Sequence, residues 1–224
     1  MSNFRVFINF KTYPQATGKK AVGLAEVLEE VQQSAPAKKA EIIPLVQTAD
    51  LYPVAKKVKI PVWVQHLDPY PQGKFTGWVT LETVSQAGAK GALLNHSEHP
   101  LPPGTVKQSL SRIKKSSAGF QVMVAAKTLG QLERLVKLKP DFLAYEMAEL
   151  IGGETSITEA NPKAIKKALK LAQEIPLIVG AGINQAQDLA TAQKLGAKGV
   201  LIASAVTLAS SPKKKLTELL SLLK

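Results

Sequence analysis

Short apolar segments alternate with longer amphipathic segments along the whole chain of 224 residues. The short segments are rich in β-branched residues, and their length and composition predict strands. Eight of them stand out, at residues 5–10, 41–46, 60–65, 90–94, 120–125, 141–145, 177–179 and 199–203. The longer segments place apolar residues three and four positions apart, which predicts helices with one buried face, as at Ala21, Leu24, Ala25, Leu28 and Val31. This alternation is typical of crossover units and a parallel sheet.

The spacing of these units predicts how the sheet is arranged. Eight units leave about 28 residues for each strand, helix and pair of loops, close to the roughly 30 of a βαβ unit. We therefore predict an α/β fold, a compact (β/α)8 barrel that forms a single domain over residues 1–224. The main alternative is an open, doubly wound sheet, which usually has five or six strands and a glycine-rich first turn. Residues 9–13 read Asn-Phe-Lys-Thr-Tyr, so the barrel is favoured.

Composition narrows the cellular setting. The chain contains no cysteine, which excludes disulfides and thiolate metal sites and removes any need for an oxidising compartment. Its first residues lack the basic, apolar and small-residue regions of a signal peptide. No segment approaches the roughly 20 apolar residues that span a bilayer. We therefore expect a cytoplasmic protein that does not interact with membranes.

The formal net charge of +12 raises the question of a nucleic-acid partner. Only Arg5, Arg112 and Arg134 among the 29 basic residues are arginines, and arginine is preferred for bidentate phosphate and guanine contacts. The lysines are mostly scattered pairs that suit solvated helix faces, and residues 213–215 form the densest run. We expect no nucleic-acid partner, although a positive field can steer a small phosphorylated anion toward the protein.

Polar side chains follow three of the predicted strands at the point where each strand ends. Asn9 and Lys11 lie at the end of the first, residues 95–98 (Asn-His-Ser-Glu) follow the fourth, and Glu146 follows the sixth. The carboxyl ends of the strands of a parallel barrel converge on one mouth. We therefore expect these side chains to surround one substrate.

Two of these groups have a structural and a functional interpretation. Asn9 and Lys11 are two residues apart, so on an extended chain both point into the barrel if Phe10 faces the helices. A lysine inside the barrel is costly to desolvate without an anion, so an anionic substrate would explain it. In the structural interpretation, the lysine side chain simply extends into solvent. His96 is either a structural residue or a catalytic one. If a short helical turn starts there, its positive end would lower the pKa of the imidazole and keep it neutral as a hydrogen-bond donor. His66 and His99 lack such a polar setting, and we interpret them as structural.

Glu146 borders the apolar residues 141–145. A carboxylate from which water is excluded has a raised pKa and is a stronger base. The glycine-containing segment that follows (residues 147–155, the lid segment) is long enough to close over a site. A helix-start residue is the structural alternative, and Glu149 and Glu154 are competing carboxylates.

Small residues follow the last two predicted strands. Residues 180–184 read Gly-Ala-Gly-Ile-Asn, and residues 202–205 read Ile-Ala-Ser-Ala. The loops after strands 7 and 8 are the usual phosphate site of such barrels, because small residues let backbone N–H groups and a helix N-terminus approach the anion. The pattern predicts a phosphorylated ligand more securely than it predicts a reaction.

Taken together, these segments resemble the triosephosphate isomerase family, in particular its short archaeal-type form, from Asn9 to the C-terminal helix. The matching segments are residues 9–13, 16–18, 75–77, 95–98, 146, 149–152, 180–183 and 199–204. The resemblance implies interconversion of dihydroxyacetone phosphate and D-glyceraldehyde 3-phosphate through an enediolate, with neither a metal nor an organic cofactor. It also implies a homo-oligomer, a dimer or a tetramer, in which residues 75–77 enter the neighbouring subunit.

The resemblance also implies a role for each matching residue, inherited from the family rather than worked out from this chain. Glu146 would remove a carbon-bound proton, and neutral His96 would polarise the carbonyl and move protons between oxygens. Lys11 with Asn9 would stabilise the enediolate. The remaining matches are the substrate and phosphate contacts Ile151, Gly182, Ala203 and Ser204, and the supporting residues Ser97 and Glu98.

Three positions depart from the family's pattern. Residues 99–100 are His-Pro where the family usually has two arginines, or an arginine and another polar residue. Residues 147–148 are Met-Ala where the archaeal-type form has a proline pair that stiffens the lid hinge, and Ala205 replaces a glycine. None of them removes a presumed catalytic group. Losing the proline pair should broaden the ensemble of open lid conformations, so these positions bear on rate.

Three other functional classes stay open. Another sugar-phosphate barrel enzyme would share the loops after strands 7 and 8, but it would not require Asn9, Lys11, His96 and Glu146 at the ends of strands 1, 4 and 6. A catalytically silent phosphate-binding barrel, acting as a sensor or assembly module, is disfavoured by the intact set of four. A nucleic-acid module rests on charge alone and would show steeply salt-dependent binding.

Overall fold

A computed structural model of the chain describes residues 4–34, 39–116, 119–150, 153 and 155–224. Eight parallel strands pair in sequence order, and the first also pairs with the last, so the sheet closes into a barrel. The strands are β1 Phe4–Asn9, β2 Ala40–Val46, β3 Trp63–Val64, β4 Gly91–Leu94, β5 Gln121–Ala126, β6 Phe142–Glu146, β7 Leu177–Gly180 and β8 Gly199–Ile202. The predicted (β/α)8 barrel is confirmed.

Helices surround the barrel. They are α1 Lys19–Gln32, α2 Thr48–Lys57, α3 Leu81–Gln86, α4 Pro103–Ser116, α5 Leu129–Val136, α6 Ile157–Ala160, α7 Pro162–Ala172, α8 Ala186–Leu195, α9 Ser204–Thr207 and α10 Pro212–Leu220. Turns of 3₁₀ helix lie at Pro14–Ala16 and Ala148–Leu150. Among the residues described, no helix is long and apolar enough to cross a membrane.

Strand alternation divides the core into two layers. Along β1, Phe4, Val6 and Ile8 pack outward beneath the helices, whereas Phe7 points into the barrel. The rings of Phe7, Trp63 and Phe142 meet edge to face inside the barrel, with centroids 5.0 to 6.2 Å apart. A Cβ atom on residue 91 would lie 2.4 Å from the Trp63 ring, so Gly91 of β4 leaves the space that the indole fills.

The third strand is shorter than the sequence predicts. We expect residues 60–65, and regular pairing covers only Trp63–Val64. Pro61 has no N–H to donate to a neighbouring strand, which shortens the regular ladder on that side. Extended contacts continue beyond the strand, because the Lys90 N–H donates to the Val62 carbonyl at 2.9 Å and the Gln65 N–H donates to the Val46 carbonyl at 3.1 Å. The chain therefore still delivers Gln65 to the mouth of the barrel.

Helix boundaries follow local capping chemistry. The Asn161 side chain accepts a hydrogen bond from the Ala164 N–H at the start of α7, and Pro162 occupies its first turn. Helix α8 ends at Gly196, whose φ of 109° is in the left-handed region that favours glycine. These short connections hold each helix against the barrel and leave the loops at the carboxyl ends of the strands to form the site.

Candidate active site

A cavity of about 280 Å³ opens at the carboxyl ends of the strands. Four predicted catalytic residues reach it from three strands: Asn9, Lys11, His96 and Glu146. The predicted phosphate contacts Gly182, Ala203 and Ser204 line the same cavity. Ile151 lies outside the described residues. Closure of the barrel therefore brings groups from both halves of the sequence to one mouth.

Asn9 is the last residue of β1 and is almost fully buried. Its Oδ1 accepts hydrogen bonds from the Lys11 N–H at 3.0 Å and from the Gln65 side-chain amide at 3.1 Å. The same Gln65 nitrogen lies 3.1 Å from the Lys11 carbonyl. The sequence interpretation missed Gln65, for which position at the end of the third predicted strand was the only signal. Gln65 ties the end of β3 to the turn that carries Lys11.

Lys11 does not lie on the strand, so the alternation argument used for it is wrong. Its φ of 45° is in the left-handed region, which costs a non-glycine residue free energy. Phe10 is buried among the helices as that argument required, but the turn, rather than strand geometry, brings Lys11 to the cavity. The Lys11 Nζ lies 2.5 Å from Glu98 Oε1. Lys11 therefore already has a carboxylate partner at the mouth.

His96 is 7% exposed and lies two residues beyond β4. The Glu98 N–H donates to its Nδ1 at 3.2 Å, and its Nε2 lies 3.2 Å from Glu146 Oε2. A backbone donor at Nδ1 requires that this nitrogen carry no proton, so the neutral ring has its proton on Nε2. Ser97 is half-buried and does not form part of the cavity wall.

No helix begins at His96, so the condition set for a lowered pKa is not met. Residues 96–99 form a tight turn in which the His99 N–H donates to the His96 carbonyl at 2.9 Å, and the next helix is α4. Burial lowers the pKa of His96, but the interaction with the Glu146 carboxylate and the charge of Glu98 outweigh this effect, so the pKa is raised above its ordinary value. The direction is opposite to that expected from a helix terminus.

Glu146 is the last residue of β6 and is 6% exposed. Its Oε2 is buried without a hydrogen-bond partner among the described residues. The His96 Nε2 is close enough to interact with its charge, but the ring N–H is not well aligned with it. A Cβ atom on Gly180 would lie 2.5 Å from Glu146 Oε1. The barrel wall thus leaves room for a desolvated carboxylate that lacks a full set of donors, as a general base requires.

The opposite wall consists of small residues after β7 and β8. Residues 180–184 are the loop for which phosphate binding is predicted, named the phosphate loop below, and in it Ala181 and Gly182 both have positive φ, 78° and 68°. A Cβ atom on Gly182 would lie 2.1 Å from the Thr155 carbonyl oxygen, so only glycine allows this close approach. Helix α9 begins at Ser204 beside the cavity, and the first N–H groups of a helix have no acceptor within it. This wall can bind an anion through its backbone.

Two of the residues that depart from the family's pattern, His99 and Met147, contact other side chains. His99 stacks on His66 with ring centroids 4.3 Å apart, and His66 Nε2 lies 3.0 Å from Asp68 Oδ1. Burial and the charge of His66 lower the pKa of His99. The two rings line a second cavity that Lys11 and Glu98 also border, so the residues interpreted as structural lie at the edge of the site. Met147 is half-buried, and its sulfur lies 3.9 Å from the Asn161 amide.

The fold and this site define a (β/α)8 barrel enzyme with a buried glutamate and histidine at its mouth. A family model described as triosephosphate isomerase matches residues 4–119. Triosephosphate isomerase of Methanosarcina mazei is 34% identical over 221 residues, 97% of each chain. Those of Saccharolobus solfataricus and Metallosphaera sedula are both 37% identical, and the matches cover 93% and 95% of this chain and 91% and 92% of theirs. The chain belongs to the triosephosphate isomerase family.

A second family model, described as thiazole biosynthesis protein ThiG, matches residues 103–219. This match includes Glu146 and both loops of the anion-binding wall, but it does not reach Asn9, Lys11 or His96. The relatives named triosephosphate isomerase match nearly the whole chain. The similarity to them therefore extends over both walls of the site.

Proposed function

We propose that this chain interconverts dihydroxyacetone phosphate and D-glyceraldehyde 3-phosphate through an enediolate. The main support is the buried Glu146 Oε2, which has no hydrogen-bond partner among the described residues, lies beside His96 and faces the small-residue wall of the cavity. Membership of the family supports the same reaction.

Glu146 acts as the base. Its carboxylate takes a proton from a substrate carbon, the C–H electrons form the enediolate carbon–carbon double bond, and the carbonyl oxygen takes the negative charge. Return of the proton to the neighbouring carbon completes the isomerisation. Little energy is needed to desolvate the carboxylate during the reaction, since Glu146 is already buried.

His96 acts as the electrophile in its neutral form. The Glu98 N–H holds Nδ1 as an acceptor, which directs the Nε2 proton toward the substrate oxygens. Donation from Nε2 stabilises the developing oxyanion, and the ring then moves protons between the two oxygens. The reaction requires His96 to be neutral, although the two glutamates raise its pKa.

Asn9 and Lys11 stabilise negative charge on the substrate. Both donors on the Asn9 oxygen come from the protein, so the side-chain NH₂ group is the part of Asn9 that remains to donate to a ligand. Lys11 adds a positive charge whose side chain is only 12% exposed. Low exposure strengthens its interaction with an anion, because water screens it less.

The phosphate group is bound by Gly182, Ala203 and Ser204, and Ile151 contributes from the lid segment. Closure of that segment would exclude water and hold the enediolate until it is reprotonated, which prevents loss of phosphate. No cofactor takes part in these steps, and the enzyme acts in the cytoplasm.

The chain acts as a homo-oligomer, a dimer or a tetramer, in which residues 75–77 contact the neighbouring subunit. Phe75 stacks on Tyr70 with centroids 4.8 Å apart, and Trp78 beside it is 49% exposed. An aromatic cluster of this kind on an exposed loop suits a protein interface.

A coupled assay with glyceraldehyde 3-phosphate tests the proposed function. The unmodified chain should turn the substrate over, and Glu146→Ala should lower kcat by about 10³-fold or more, since a positioned general base contributes roughly 10² to 10⁴. Glu133→Ala is the matched control, because Glu133 is exposed on α5 and lies outside both the cavity wall and the lid segment, and it should keep the native activity. An inactive unmodified chain that still binds inorganic phosphate would point to the silent barrel and reject the isomerase.

A further inference from the structure

Asp188 is a buried carboxylate that the proposed reaction does not use. It is 7% exposed, in the first turn of α8. Its Oδ2 accepts from the Asn184 N–H at 3.0 Å and from the Gln185 N–H at 2.9 Å. These two bonds cap the start of α8, the ordinary role of an aspartate at this position.

The third bond to Asp188 comes from another part of the chain. The hydroxyl of Thr158, in α6, lies 2.6 Å from Asp188 Oδ1. An ionised carboxylate can only accept, so Thr158 donates. The Ser156 hydroxyl lies 2.8 Å from the Thr158 hydroxyl and can in turn donate to it. Both hydroxyl residues are nearly fully buried, so a chain of hydrogen bonds sheltered from water runs from residue 156 to Asp188.

The phosphate loop contacts both ends of the hydrogen-bonded chain that joins residue 156 to Asp188. The Ile157 N–H donates to the Ala181 carbonyl at 3.2 Å, and the Thr155 carbonyl packs against Gly182. Ala181 has a φ of 78°, a conformation that a residue with a Cβ atom keeps only when its surroundings hold it. Asp188 holds the far end of the loop through Asn184, and Thr158 fixes Asp188 to the segment that contacts Ala181.

We propose that Asp188 and Thr158 are a pair of positioning residues that hold the phosphate loop against residues 155–158 and thereby set the affinity for the phosphate group. Neither residue belongs to the cavity wall, so the pair acts through the backbone of Ala181 and Gly182. The inference rests on the proposed phosphate site, and it concerns ground-state binding of the phosphate rather than proton transfer.

Thr158→Val tests this pair, because it removes the hydroxyl, keeps the side-chain shape and leaves both capping bonds of Asp188 in place. Loss of a charge-assisted hydrogen bond should weaken binding by about tenfold, seen as a higher Kd for inorganic phosphate in calorimetry and a higher KM for the triose phosphate. The value of kcat should change less than KM. Thr158→Ser keeps the hydroxyl and should keep the native Kd.

Thr128→Val is the matched control. Thr128 caps α5, where its hydroxyl accepts from the Gln131 N–H, and it does not line the cavity. This variant also loses a hydroxyl hydrogen bond at the start of a helix, and it should do so without a change in Kd. If Thr158→Val fails to fold, Thr158→Ser and Thr158→Ala are compared instead, with the higher Kd expected only for the alanine variant.

A native Kd and KM in folded Thr158→Val would overturn the inference, as would equal weakening in Thr158→Val and Thr128→Val. The phosphate measurement needs no turnover. If the unmodified chain binds phosphate without isomerising the triose, the proposed reaction fails while the comparison of Kd values still decides the role of the pair. Absence of phosphate binding by the unmodified chain would overturn both.

Discussion

Two carboxylates lie on opposite sides of the His96 ring. Glu146 Oε2 is 3.2 Å from Nε2, and Glu98 Oε2 is 3.7 Å from Nδ1. Burial lowers the pKa of the imidazole, and the two carboxylates together raise it above its ordinary value. A protonated ring pairs with Glu146 and removes both the electrophile and the free base, so activity is lost as the pH falls through the raised pKa.

The charge of Glu98 can be removed separately. Glu98→Gln should move the acid limb of the kcat/KM profile to lower pH, because one of the charges that raise the pKa of His96 is gone. The maximal rate should also fall, since Lys11 loses its partner, but the limb position is the diagnostic quantity. The limb reports the protonation of His96 in the free enzyme.

Glu133→Gln, on the exposed side of α5, is the control for that profile and should leave the limb in place. An acid limb that does not move in Glu98→Gln would contradict the assigned electrostatics.

At the scale of secondary-structure elements, the end of β7 determines where the end of β6 can place its carboxylate. Gly180 and Glu146 face each other across the β6–β7 ladder. The alanine methyl in Gly180→Ala would lie 2.5 Å from Glu146 Oε1, so the carboxylate must move. Displacement of a catalytic group by about 1 Å lowers kcat by roughly 10²-fold. We expect a loss of this order in Gly180→Ala, as measured by steady-state kinetics.

Gly130→Ala in α5 separates this effect from a general response to added methyl groups. A Cβ atom there has no neighbour within 4 Å, and alanine favours a helix over glycine. Activity should be unchanged and the Tm equal or higher. Normal kcat in Gly180→Ala would show that Glu146 does not require the space.

Elements were more predictable from sequence than the contacts between their ends. Strand and helix periodicity reports burial, so it located all eight strands, although the third was too long because of Pro61. The position of His96 followed from the end of β4, but its surroundings did not, because a tight turn rather than a helix begins there. Gln65 and Thr158 act on partners 56 and 30 residues away, and one sequence carries no local signal of such contacts.

For the whole molecule, closure of the barrel is what assembles the site. Asn9, His96 and Glu146 come from β1 and from the ends of β4 and β6, and no two of these residues are within 40 positions of each other in the sequence. The phosphate loop and α9 complete the mouth from the other side. The net charge of +12 should speed the encounter with an anionic substrate, more so at low ionic strength.

Proton transfer by Glu146 defines the proposed reaction, and isomerisation in D₂O detects that transfer at the substrate carbon. The unmodified chain should incorporate deuterium at carbon in the triose phosphate product, detected by NMR, because a proton held by a carboxylate exchanges with solvent. Glu146→Gln should lose both turnover and incorporation while it still binds inorganic phosphate. Turnover with complete retention of protium, or incorporation that persists in Glu146→Gln, would contradict the account.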